Sequence, residues 1–125
     1  MAEYADIVEV ELPEKAARGF PVTVTVGIKN LYSGTIGIMV GGALEYGPVP
    51  WPSINFPENW ANIPAGQVHR FTGQFIMPES DATVHIYSYW YGEGTWHLDD
   101  EETRRIKVTE VVYDFVIGYP GVVPV

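Results

Sequence analysis

The chain has 125 residues, 46% of them apolar and 14% aromatic, with a net charge of -9. Such a length suits one domain with one core, and ten prolines with thirteen glycines suit short strands and tight turns better than long helices. Seven Lys and Arg residues are too few to match a phosphate backbone, which argues against nucleic acid as a partner, and without cysteine there is no disulfide frame or thiolate metal site.

In chain order, the amino-terminal MAEYADIVEV lacks the basic start and continuous apolar core of a signal peptide. No stretch reaches the length of a membrane span, so the expectation is a chain made without a leader and not inserted in a membrane. Residues 8–12, VEVEL, place Val8, Val10 and Leu12 on one face and Glu9 and Glu11 on the other, the alternation of a half-buried strand. PEKAARG is the one competing helix candidate, too short to stand without tertiary support. PVTVTVGIKN then puts Val22, Val24, Val26 and Ile28 on one side, with Thr23, Thr25 and Lys29 on the other, the clearest strand in the chain. TIGIMV follows with Ile36, Ile38 and Val40 in register, after which Gly41 and Gly42 are expected to open a proline-rich segment. Further strands are predicted in VHRFTGQFIMP through Phe71 and Phe75, in ATVHIYSYWY through Val84, Ile86 and Trp90, and in RRIKV. Since every strand has one apolar face needing cover, two antiparallel sheets packed face to face are expected.

These residues carry a resemblance. GFPVTVTVGIKNLYSGTIGIMV is similar to the start of immunoglobulin-like sandwich modules of the bacterial, archaeal and phage type. IPAGQVHRFTGQFIMPESDATVHIYSYW resembles their middle strand, Met-Pro exit and next strand, and WHLDDEETRRIKV their final hairpin. The resemblance spans residues 5 to 109 and implies a fold, together with a population of surface, adhesive and virion structural proteins, rather than a chemistry.

Chemical constellations are thin. His69, His85 and His97 are three metal-ligand candidates, of which His85 and His97 approach each other if their strands form a hairpin, but a zinc site needs three or four converging ligands. The acidic run 99–102 lacks the spacing of a calcium loop and reads as a solvated hairpin turn. Ser33, Ser53, Ser80 and Ser88 include none in a Gly-x-Ser-x-Gly elbow, and no phosphate-binding Gly-rich loop is present. The expectation is no enzyme, no cofactor and no metal.

Contact residues are the alternative to chemistry. Trp51, Trp60, Trp90 and Trp96, with Tyr46, Tyr87, Tyr89 and Tyr91, suit either protein contact or a carbohydrate-binding surface; neighbours alternate across a strand, so Tyr89 and Tyr91 share the face opposite Trp90. The connection 46–66 holds five prolines yet also Trp51, Ile54, Phe56 and Trp60. It is expected to fold down as an ordered flap, either capping the sandwich or showing Trp51, Phe56 and Trp60 to a partner. Finally, residues 111–125 read VVYDFVIGYPGVVPV. Ile106 and Val108 set an inward parity that would next turn Glu110 inward, whereas the apolar set becomes Val111, Tyr113, Phe115, Ile117 and Tyr119. The parity slips by one, which needs a bulge, a bend or a different sheet. This arm is expected to pair within its own sandwich or with a neighbouring subunit.

The sequence therefore predicts a single all-β immunoglobulin-like sandwich over 1–110 with an apolar C-terminal arm over 111–125. The expected role is non-catalytic and structural or decorating, through self-association or a larger protein lattice in a virion or surface assembly. A glycan-binding or adhesin module using exposed Trp and Tyr is the rival.

Overall fold

The computed structural model describes residues 2–110. Eight strands follow in chain order: β1 (Ala5–Glu11), β2 (Lys15–Ala17), β3 (Pro21–Asn30), β4 (Ile36–Glu45), β5 (Trp60–Ile63), β6 (Val68–Ile76), β7 (Ala82–Gly92) and β8 (Thr95–Thr109). They form a three-stranded sheet ordered β1-β3-β6 and a five-stranded sheet ordered β2-β8-β7-β4-β5. In immunoglobulin terms β1, β3 and β6 occupy the places of strands A, B and E, while β8, β7, β4 and β5 occupy G, F, C and C′. The chain is thus an all-β, immunoglobulin-like sandwich.

Alternation explains the core. Val22, Val24, Val26 and Ile28 from β3, Phe71 and Phe75 from β6, and Val84 and Ile86 from β7 are all buried because successive side chains point to opposite faces. Ile38, Val40, Leu44 and Ile106 join Val84 and Ile86 on the side of the five-stranded sheet. Two buried polar groups fix the packing. Asn30, fully buried at the end of β3, donates to the carbonyls of Gly34 and Ile63 at 2.8 Å and accepts from the Tyr32 amide. Ser88 donates its hydroxyl to the Ala5 carbonyl at 2.6 Å, stitching β7 to β1.

Several sequence expectations are corrected by pairing. In β1 the register shifts between Ile7 and Glu9, so Val8 is a bulge residue and is exposed while Ala5 and Ile7 are buried. Gly41 and Gly42 do not end β4; they pair with Tyr87 and Ile86. PEKAARG is not helical: Lys15–Ala17 pairs in parallel with Lys107, Val108 and Thr109 of β8. The final hairpin lies earlier than WHLDDEETRRIKV, at Glu93 and Gly94, which both have positive φ. The acidic run lies inside β8 rather than at a turn.

The flap supplies a third wall. Ile54 and Phe56 are buried, and each fills a space that a glycine leaves. A Cβ on Gly42 would sit 3.0 Å from Ile54 Cδ1, and one on Gly73 would sit 2.7 Å from the Phe56 ring. Backbone bonds hold the flap against both sheets, from the Ile54 amide to the Gly42 carbonyl and reciprocally between Asn55 and Gln74. Phe56 is therefore a core residue and not a partner-facing one. The connection also contains a strand that proline content concealed, β5, paired with β4.

Candidate binding face

The inner face of the five-stranded sheet is covered by β1-β3-β6; its outer face carries the candidate site residues. Tyr87, Tyr89 and Tyr91 alternate with the inward Ser88 and Trp90, so Tyr89 and Tyr91 do share the face opposite Trp90. Tyr89 lies over Gly41, where a Cβ would come within 3.4 Å of its ring. Trp60 projects outward from β5 at 51% exposure, Tyr91 is 47% exposed and Leu98 63%. Val111, Tyr113, Phe115, Ile117 and Tyr119 lie outside the described residues.

At one end of this face, three rings from three strands converge. The Trp96 ring stands edge-on to Trp60 (6.4 Å between centroids, 62°) and to Tyr91 (5.1 Å, 69°), the arrangement favoured by ring quadrupoles. With Gly37 and Asn62 they line a cleft of about 280 Å³. Gly37 forms its floor, since a Cβ there would lie 3.4 Å from Tyr91 and 3.5 Å from the Trp96 ring. The register that opposes Tyr91 to Trp96 and Met39 to Trp60 builds this cleft. Gly37 and Asn62 carry no sequence signal for it, because their role depends on which strands lie alongside.

Towards the other end, Trp51 stacks on His85 (4.6 Å, 17°). The imidazole also lies between two carboxylates, Nε2 to Glu45 at 2.7 Å and Nδ1 to Glu101 at 3.1 Å, and its side chain is only 13% exposed. Burial pulls the imidazole pKa down, but hydrogen bonds and charge from Glu45 and Glu101 outweigh it, and the net shift is upward from 6.5. A folded-state pKa above the unfolded one makes protonation stabilising. That stability is fully present below the unfolded value and is lost as pH rises through the raised folded value. The melting temperature is accordingly expected to fall as pH rises across this window, and His85→Gln, which keeps hydrogen bonding without the charge, to flatten that slope. An unchanged slope in the variant would refute the assignment.

The three histidines do not converge. β7 and β8 do form a hairpin, yet His85 opposes Thr103 and His97 opposes Trp90, five residues further along β7, or about 17 Å at strand rise. His97 stacks on Trp90 and bonds the Gly92 carbonyl, and His69 contacts Glu58. Among the described residues no group of three or more His, Cys, Asp or Glu side chains could hold a metal ion. The acidic run works on the fold instead. β8 shifts register opposite Ser88 and Tyr89, leaving Asp99 as the extra residue. Its carboxylate accepts from the amides of Glu3, Tyr4 and Ala5 at 2.7, 2.8 and 2.6 Å, while Asp100 accepts from Ile7.

The fold and this surface define a β-sandwich that fits a binding or structural module. No protein-family model matches the chain, and no curated protein does. Solved structures do share the fold. The chain is similar to an alkylpurine DNA glycosylase of Pseudomonas fluorescens bound to DNA (TM-score 0.63, 10% identity, 85% of this chain and 30% of that one). It is also similar to the CARDB domain of a Pyrococcus furiosus protein in complex with di-metal ions (TM-score 0.55, 14% identity, 86% and 91%). A third is a cycloisomaltooligosaccharide glucanotransferase of Paenibacillus complexed with cycloisomaltoheptaose (TM-score 0.54, 20% identity, 84% and 14%). The chain spans under a third of the glycosylase and about a seventh of the glucanotransferase. At these identities the likeness is one of fold.

Proposed function

We propose that the chain is a non-catalytic module of a larger assembly, such as a virion or surface lattice, held there through its apolar run 111–125 and presenting the outer face of the five-stranded sheet. The observation that carries the reading is the aromatic surface of exposed Trp60 and Tyr91 with half-buried Trp96 and exposed Leu98, which no other described residue covers. Large exposed apolar side chains gathered on one face mark interaction surfaces. The outer face of the opposite layer exposes Val8, Val68 and Ile76 without a gathered set of rings, and the polar clusters around His85 and Asp99 are spent on internal hydrogen bonds. That similar sandwiches form small parts of much longer chains accords with a modular role. The acidic balance accords with protein or neutral ligands rather than nucleic acid.

Native mass across a concentration series tests this. The full chain is expected to associate and the chain ending at Thr109 to stay monomeric with its melting temperature kept, while Leu98→Ser leaves association intact. A full chain that remains monomeric overturns the reading. So does a truncated chain that still associates, or loss of association in Leu98→Ser, which would make the aromatic face itself the lattice contact.

A further inference from the structure

The cleft between Trp60, Tyr91 and Trp96 is built for more than bulk protein contact. We propose that it is a binding subsite for one neutral hexopyranose ring of a glycan, a proposal that rests on the reading of the outer sheet face as the working surface.

The walls are aromatic planes set at 62° and 69° to one another, and the floor is bare backbone at Gly37. A pyranose presents an apolar C–H face and a hydroxyl edge; the electron-rich ring faces attract the first, and the second needs hydrogen-bonding partners. One such partner stands at the cleft. The Asn62 amide lines it, offering two donors and an acceptor. Among the described residues no hydrogen bond engages that amide or the indole N–H groups of Trp60 and Trp96, in contrast to Trp51, whose N–H is donated to the Gly47 carbonyl at 3.1 Å. A purely apolar contact would leave the Asn62 amide, which stands beside Gly37, unpaired on burial, at a cost, whereas a hydroxylated ring satisfies it.

Size and charge narrow the ligand. About 280 Å³ lies just below the range for small-molecule pockets, roughly 300 to 1,000 Å³, which suits one ring rather than an extended ligand. No Lys, Arg, Asp or Glu lines the cleft, and the chain carries a net charge of -9, so the field disfavours acidic sugars. A larger groove lies beside the flap, lined by Asn55, Glu58, Arg70 and Gln74. Its guanidinium is bound to Glu9 at 2.8 Å, and it lacks ring faces.

The test is a tryptophan-fluorescence titration of the full chain with neutral hexoses and their oligosaccharides, read beside a glycan array. Saturable binding is expected for neutral hexose-containing glycans, at millimolar strength for a single ring. Trp60→Ala should weaken it tenfold or more. Asn62→Ala, an exposed side chain whose loss spares the core, should weaken it several-fold with an unchanged melting temperature. Trp51→Ala, towards the other end of the face, should leave it intact. No saturable response to any neutral sugar, binding confined to acidic sugars, equal binding in Trp60→Ala, or capture of peptides in place of sugars would each overturn the proposal. Failure here with the native-mass result intact removes only the sugar subsite. If Leu98→Ser dissolves the assembly, the outer-face reading itself falls.

Discussion

Phe56→Ala is expected to lower the stability of the sandwich by about 3 to 5 kcal/mol, the usual cost of emptying a buried aromatic site. For a domain near this size that is roughly 10 to 20 °C in melting temperature. The reason is the position of the ring: buried, supplied by a proline-rich connection, and lodged where β6 carries Gly73. A Cβ on Gly73 would lie 2.7 to 2.9 Å from three atoms of the ring, closer than packed carbons tolerate. Gly73→Ala alone should therefore cost about 1 to 3 kcal/mol by overpacking. The two changes should not add. With the ring gone, the new methyl enters vacated space, so Gly73→Ala in the Phe56→Ala background should be neutral or stabilising. Thermal or urea unfolding of the four proteins closes the double-mutant cycle, and strict additivity would show that the ring and the glycine are not coupled.

Asp99→Ala is expected to cost about 2 to 4 kcal/mol, from three charge-assisted hydrogen bonds worth roughly 1.5 to 3 kcal/mol each, all discounted for solvent screening because the bond to Glu3 is exposed and those to Tyr4 and Ala5 are only part-buried. The carboxylate reaches from β8 in one sheet to the amides of Tyr4 and Ala5, where β1 begins, in the other, so its loss should loosen that end locally as well as lower global stability. Amide hydrogen exchange at Tyr4 and Ala5 should quicken, while Val24 and Val26, on the covered strand β3, should change only as far as the global stability does. Asp99→Asn, which keeps one acceptor oxygen, should lie between the two. A melting temperature within about 2 °C of the parent and unchanged protection at Tyr4 and Ala5 would show that the bulge holds without the carboxylate.

Alternation was legible wherever a strand is regular. In 21–30, 68–76 and 82–91 the backbone forces side chains to opposite faces, so Val22 to Ile28, Phe71, Phe75, Val84 and Ile86 announced both the strands and the buried side, and with them the two-layer, all-β architecture. The outward placing of Tyr89 and Tyr91 followed from the same parity. Composition likewise settled that no thiolate chemistry is available.

Register and neighbours lay beyond that reasoning. Val8 reads as inward by period, yet one extra residue opposite β3 turns it out; Gly41 and Gly42 read as a break, yet β7 holds them in the ladder. Lys15–Ala17 gains strand form only because β8 lies beside it in parallel. Phe56 could not be placed before Gly73 was known to face it, nor Asp99 before a bulge aimed it at β1. The aromatic cleft depends most on tertiary structure. Gly37, Trp60, Asn62, Tyr91 and Trp96 come from four strands, and period assigns each residue a face but says nothing of its partners across the sheet. Those partners are set by which strands pair and in what register, a choice made by burial of the whole core.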